Sequence, residues 1–189
     1  MDKAQASRRR LLNAGAVEFA AHGIAGARVD RISADAKVSK AQMYAYYSSK
    51  EGLFDAVLAE RIQEIVDAVP FTLDDLPRYA VGIYDACVRQ PQMVRLATWA
   101  RLERTPTGRL LKEAEDPKIL AITQAQRDGL IPSTLPAEDL YDMLIALALA
   151  WSPGSLAFTA SEADPAEDNQ RRRTSLAAAV ARVLAAESP

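Results

Sequence analysis

The sequence predicts an all-α protein in which a small N-terminal three-helix head is joined by a long helix to a larger helical body. Three observations carry this expectation. Hydrophobic residues make up 49% of the 189 and aromatics only 6%; alanine and leucine dominate and β-branched runs are scarce, which favours helices over strands. Apolar residues recur at spacings of three and four in segment after segment, the period of a helix with one buried face. The stretch from Val29 to Tyr47, VDRISADAKVSKAQMYAYY, reads as two short helices meeting at a tight corner.

A chain of this length can close one helical body and a small head. Its formal net charge is −2, from 23 basic and 25 acidic residues, so any contact with nucleic acid must be local. Residues 1–60 hold nine lysines and arginines against seven acidic residues, and the remainder holds 14 against 18, a split that points to a DNA-facing N-terminal part. The single cysteine, Cys87, rules out an internal disulfide and fits a reducing cytosol. The N-terminus MDKAQASRRR has no apolar signal core. The longest apolar run, from Met143 to Trp151, is far short of the ~20 residues that span a bilayer, so a cytoplasmic protein without a membrane partner is expected. With no metal-ligand cluster and no phosphate-cradling glycine loop, neither metal nor cofactor is expected.

In chain order, residues 1–6 read as a loose tail. Arg8, Arg9 and Arg10 sit where the first helix begins and fit a solubilising cluster and phosphate contacts equally well. Leu12, Ala16, Phe19 and Ala20 form the core face of helix 1, which stops at His22-Gly23 with glycine supplying the left-handed residue. His22, the only histidine, has no metal or catalytic companion. Val29, Ile32 and Ala36 face inward from the second helix. The corner is Lys37-Val38-Ser39, with Val38 the apolar plug. Ser39 caps the third helix, and Gln42 three residues on completes a capping box. Met43 and Tyr47 turn to the core, which leaves Lys40, Ala41, Gln42, Ala45 and Tyr46 on the other side. A capped helix of about two turns with small, amide and basic side chains outward suits a DNA major groove. A plain helical hairpin fits the same pattern.

Ser48 to Glu51 is a second capping box, opening a long helix. At this point VSKAQMYAYYSSKEGLF resembles the recognition helix and following turn of TetR-type (tetracycline-repressor-like) transcriptional regulators, and LLNAGAVEFAAHG, Leu11 to Gly23, resembles their first helix. The resemblance covers roughly the first third of the chain closely. It implies a helix-turn-helix DNA-binding domain over residues 1–50. It also implies a helical ligand-binding and dimerisation domain over 51–189. Lys40, Ala41, Gln42, Ala45 and Tyr46 are then the base readers, and Arg28, Lys37, Ser39, Tyr44 and Lys50 the phosphate contacts. Two departures stand out. Where the family carries Thr or Ser at the start of the second helix, this chain has Arg28-Val29, which supplies charge but loses a hydroxyl cap. The family's corner glycine is Lys37 here, at a cost of roughly 1 kcal/mol if its φ is positive.

Lys50 to Val69 is the connecting helix, with Leu53, Val57, Leu58, Ile62, Ile65, Val66 and Val69 as its stripe. Pro70 stops it. Thr72 and Asp75 form the next cap signature, and a helix runs to about Gln90 with Leu76, Ala80, Ile83, Tyr84 and Cys87 buried. Pro91 opens a helix carrying Val94, Leu96, Ala97, Trp99, Ala100 and Leu102. Its RLATWARLE stretch resembles one subgroup of the family's C-terminal domains. After a break at Thr105–Gly108 a short helix is expected, then one from Asp116-Pro117 to Gly129. Pro136 begins a helix that is apolar nearly all round from Leu140 to Trp151, and such a helix must be covered on every side. A last helix is expected from about Pro165 to Ala186, with Leu176, Val180, Val183 and Leu184 as its stripe and Arg171, Arg172 and Arg173 on a solvated face.

A head of about fifty residues reads too little DNA alone, so a homodimer on a palindromic operator is expected. The helix over 140–151 and the last helix are its natural surface, with Leu144, Leu176, Val180, Val183 and Leu184; a four-helix interface is also what the resemblance implies. Tyr79, Ile83, Cys87, Met93, Trp99, Leu102, Met143, Leu147 and Trp151 are candidate walls of a pocket for a small apolar or aromatic effector, though each fits ordinary core as well. The expected function is a ligand-responsive repressor with double-stranded DNA and a small-molecule effector as partners. The alternative is a helical small-molecule-binding protein, or an enzyme, whose head docks protein. The enzyme reading is poorly supported, since Cys87 has no histidine partner in its own domain.

Overall fold

The computed structural model describes residues 3–110 and 116–185. Among these the regular structure is helical throughout: α1 (Lys3–Gly26), α2 (Val29–Ala36), α3 (Lys40–Tyr47), α4 (Lys50–Ala68), α5 (Leu76–Arg89), α6 (Pro91–Glu103), α7 (Pro117–Arg127), α8 (Ala137–Ala148) and α9 (Ala166–Leu184). No helix among the described residues is long and apolar enough to cross a membrane. The chain divides into two compact units, one of Met1–Glu64 with Gln92–Leu110, the other of Ile65–Pro91 with Leu111–Pro189. The first is larger than a head of residues 1–50, because α6 shares its core: Leu96 and Ala100 are buried in one cluster with Leu11, Phe19, Ile32, Met43, Leu53 and Phe54.

In the first unit α1 is already helical at Lys3, so most of the expected loose tail is helix; Met1 and Asp2 lie outside the described residues. Leu11, rather than Leu12, is the fully buried leucine of α1. Phe19 meets Phe54 of α4 edge to face at 5.2 Å. Gly23 breaks α1 with φ 70°. A side chain there would also be forced to within 3.0 Å of the Trp99 ring, so both backbone and space require glycine. The corner between α2 and α3 is a Schellman turn: Lys37 N–H donates to Ala34 O and Val38 N–H to Ser33 O. Lys37 itself is left-handed at φ 53°. The penalty anticipated for a non-glycine corner is therefore present, about 1 kcal/mol. Ser49, not Ser48, caps α4, its Oγ accepting Gly52 N–H at 2.9 Å. Ser48 has φ 61° and turns the chain between α3 and α4.

In the second unit α5 packs against α8 and α9, and α8 also against α7 and α9. Asp75 alone caps α5, accepting Arg78 N–H at 2.9 Å, while Thr72 closes the preceding turn. The core joins Leu76, Ala80, Ile83, Tyr84 and Cys87 of α5 to Ile122, Leu140, Leu144, Leu176 and Val180. Burial pushes the Cys87 thiol up to about 12, so it stays protonated at neutral pH. The arginine run at 171–173 is not one solvated face. Arg172 is only 4% exposed. It donates to Asp164 at 2.7 Å and to Asn169 Oδ1 at 3.0 Å, and stacks on Phe158. Tyr84 donates to the same Asn169 oxygen at 2.6 Å. Arg173 pairs with Asp85 at 2.8 Å, and Arg171 with Asp168 at 2.7 Å. These contacts moor the α8–α9 connection to α5 and α9.

Helix α8 stops at Ala148 instead of continuing to Trp151, and it is not covered all round: Met143 is 43% exposed and Ala146 is exposed. The short helix expected after Gly108 falls largely on residues 111–115, and the last helix's expected end at Ala186 falls on another such residue; both lie outside the described residues.

Candidate nucleic-acid interface

The candidate site is the outer face of α3 with the residues that flank it. Ser39 is extended and its hydroxyl accepts Gln42 N–H at 3.2 Å, which fixes the first turn of α3. Met43 is fully buried and anchors the inner face. Lys40, Ala41, Gln42, Tyr44 and Ala45 are consequently exposed, and Tyr46 and Tyr47 half-buried. The capping box is one-sided. The Gln42 side chain does not return to Ser39; its Nε2 donates to the Tyr46 hydroxyl at 2.9 Å, one turn further along the exposed side. Tyr46, expected to face fully outward, instead leans on the core and lies under the Arg8 guanidinium, 4.9 Å from its ring centre. Lys40 pairs with Asp30 in the first turn of α2.

The cations around α3 have distinct environments. The three arginines expected to act alike do not. Arg8 is held over Tyr46, and its carbonyl accepts from the Tyr47 hydroxyl at 3.4 Å. Arg9 is exposed. Arg10 is structural: it donates to Ser7 Oγ and to Ala36 O, each at 2.9 Å, and the second bond satisfies a carbonyl at the end of α2. Arg28 and Lys37 are exposed, as a phosphate contact requires. Lys50 is half-buried and its ammonium donates to Ala25 O and Ala27 O, both at 3.2 Å. The geometry gives Lys50 a positioning role, tying the α1–α2 connection to the first turn of α4.

Glu18 takes over the cap that Arg28 lacks. Its carboxylate accepts Arg28 N–H at 2.8 Å, at the start of α2, and pairs with Arg31 of the same helix. Burial alone would raise the Glu18 carboxyl, but the Arg31 side chain and the Arg28 amide outweigh it and hold it below its ordinary value. His22 stands 3.8 Å away on the exposed side. Sequence reasoning missed Glu18, since the acid lies ten residues before the amide it serves.

A second missed group is Glu103 of α6. Gly23 leaves Ala20 O and the amides of Ile24 and Ala25 without their helical partners. Glu103 accepts both amides, at 3.1 and 2.8 Å, while Arg95 and Trp99 donate to Ala20 O at 2.9 and 3.3 Å. Three residues of one face of α6 thus clasp the break in α1. Trp99, expected to wall a pocket, has this structural task instead.

The remaining expected pocket residues divide between the units. Met93 is half-buried on α6, and Leu102 is 69% exposed, which is unlike a pocket wall. In the second unit Tyr79, Ile83 and Cys87 are buried, Leu147 and Trp151 half-buried and Met143 largely exposed. Trp151 meets Tyr84 edge to face at 5.8 Å. Of the expected dimer residues, Leu144, Leu176 and Val180 are each 2% exposed and belong to the core of a single chain; Val183 and Leu184 are half-buried. The open faces are different residues of the same two helices: Met143 and Ala146 on α8, and Thr174, Ala178 and Ala181 on α9.

Comparison with known proteins places these features in context. The family model described as "Bacterial regulatory proteins, tetR family" matches residues 11–57, and that described as "Tetracyclin repressor-like, C-terminal domain" matches residues 75–182. The HTH-type transcriptional repressor SCO4008 of Streptomyces coelicolor is 37% identical over 149 residues, covering 76% of this chain and 77% of that protein. The HTH-type transcriptional repressor DhaR of a Mycobacterium species is 28% identical over 152 residues, covering 74% and 77%. Among solved structures, SCO4942 from Streptomyces coelicolor superposes with a TM-score of 0.78 at 34% identity, over 94% of this chain and 97% of that one. Salmonella enterica GusR, at 20% identity, shares the fold with a TM-score of 0.73 over 97% and 98%.

Proposed function

The chain belongs to the TetR family of bacterial regulatory proteins, and on that premise we propose a repressor that binds a palindromic operator as a homodimer and is released by a small apolar or aromatic effector. Like the repressors it resembles, it is a DNA-binding transcriptional regulator and not an enzyme. The observation that carries the proposal is the exposed face of α3, capped by Ser39 and anchored from behind by Met43. A short helix so presented enters a major groove with its N-terminal residues on base edges.

In this reading residues 1–50 read DNA and residues 51–189 hold effector and partner. Lys40, Gln42 and Ala45 face the bases, while Arg28, Lys37, Ser39 and Tyr44 sit at phosphates. Pairing of two chains through the open faces of α8 and α9 covers Met143 and Ala146, which a single chain leaves in water, against small residues that permit close helix approach. The effector site draws on aromatic and apolar residues of the second unit, Tyr79, Ile83, Leu147 and Trp151. A few kcal/mol of differential effector affinity between two head arrangements suffices to release DNA.

Selection of bound duplexes from a random pool tests the proposal. The expected result is a palindrome whose affinity falls steeply with salt. Recovery of no duplex at low salt would overturn it and favour a head that docks protein.

A further inference from the structure

Gln42, Ala45 and Tyr46 share one side of α3 at spacings of three and four, so they meet the same few base pairs. An amide side chain carries two N–H donors and one acceptor oxygen. Here one N–H of Gln42 is bonded to the Tyr46 hydroxyl at 2.9 Å. That leaves one N–H and the Oε1 lone pairs of this exposed side chain for a base, a donor beside an acceptor. In the major groove adenine alone offers the complement on one base, an acceptor at N7 beside a donor at N6; guanine offers two acceptors.

Tyr46 can hold the amide because it is itself held. Its ring leans on the core of the first unit, meets Tyr47 edge to face at 6.3 Å and lies beneath Arg8. Tyr47 in turn bonds the Arg8 carbonyl, so α1 and α3 are joined at two points of the same residue. Unlike a free glutamine, which must give up side-chain entropy to read a base, Gln42 meets DNA with its amide already oriented.

We propose that Gln42, oriented by the Tyr46 hydroxyl beneath Arg8, reads an adenine in each half-site through its free N–H and Oε1. The inference rests on the DNA-binding reading above and adds the base that is read. Tyr46 is the positioning residue, and Arg8 brings its charge to the same edge of the interface.

The test uses the full-length protein and the duplex enriched by wild type, with each half-site base pair replaced singly. Affinities are measured for wild type, Gln42→Ala and Tyr46→Phe. Wild type should discriminate for adenine at one position by about 5- to 150-fold. Gln42→Ala should erase that preference there and nowhere else. Tyr46→Phe, which keeps the ring under Arg8, should weaken it at the same position while leaving salt dependence unchanged; Gln42→Glu should abolish the adenine preference, having no N–H to give N7. If the position sensitive to Gln42 is guanine, or if Tyr46→Phe leaves discrimination intact, the inference is overturned while the regulator reading stands. If wild type enriches no duplex, both fall together.

Discussion

Replacing Asp30 by asparagine should tighten DNA binding while slightly weakening the fold. Asp30 is paired with Lys40 at the start of the recognition helix, and both side chains are open to water, at 70% and 54%. An exposed pair of this kind contributes about 0.2–1 kcal/mol, so Lys40 must forgo that amount to reach a base or phosphate. The free carboxylate then faces the DNA. At about 6 Å in water its repulsion with one phosphate is ~0.7 kcal/mol before screening. Together these oppose binding by about 1 kcal/mol per head, and a palindrome engages two heads. Asp30→Asn should therefore raise affinity about fivefold per head and about 30-fold for the pair. The gain should be largest near 50 mM salt and fade towards 300 mM, because salt screens both the Asp30–Lys40 pair and the repulsion between the carboxylate and the phosphates. Against this, the substitution removes both the exposed ion pair and an acid from the first turn of α2, a combined loss of about 1 kcal/mol that lowers Tm by about 2–4 °C. Fluorescence anisotropy of a labelled operator across that salt range measures both affinity and slope. Unchanged affinity with an unchanged slope would show that Lys40 is not held back by Asp30 and that the reasoning is wrong.

Three further outcomes follow from the geometry. Lys50→Ala should destabilise the head by about 1 kcal/mol through two lost bonds to carbonyls, with a salt-slope change below one unit, whereas Arg28→Ala should lower the slope by about 1; denaturant melts and salt titrations separate the two. Arg172→Ala should lower Tm by about 5–10 °C in a thermal melt, since it strips packing and a hydrogen bond from buried Asn169, without altering operator preference. Glu18→Gln should cost most at neutral pH: the native carboxyl is held low, so its stabilisation is full above the ordinary glutamate value and disappears as pH falls through the lowered native one. Melts of wild type and variant should accordingly converge in acid, and a gap that stays constant down to pH 3 would contradict the assigned pairing.

How much of this was legible in the sequence depended on range. Caps and corners act over three or four residues, so Ser39, Asp75 and the Lys37 corner could be read directly, with the α4 cap displaced by one residue to Ser49. Helical periodicity located the helices of the described residues to within about a turn and a half at their ends, because a buried face recurs every turn. Contacts that close across the chain left no local trace. Glu18 capping α2 and Glu103 mending the break at Gly23 look like ordinary surface acids in sequence. The same holds for the arginine runs: Arg8, Arg9 and Arg10 are neighbours in sequence and all exposed, but they sit 100° apart around a helix, so Arg8 stacks on Tyr46 while Arg10 caps α2. Leu176 and Val180 illustrate the opposite limit. An apolar stripe says that a face is buried, but not whether its own chain or a second copy buries it.

The central claim, that two copies of α3 enter successive grooves of one duplex, is tested most directly by hydroxyl-radical footprinting of the full-length protein on its enriched operator. The account predicts two protected patches, symmetric about a dyad and centred on major grooves one helical turn or a multiple of it apart, about 34–36 Å per turn. A single patch, or uniform protection that ignores sequence, would contradict it.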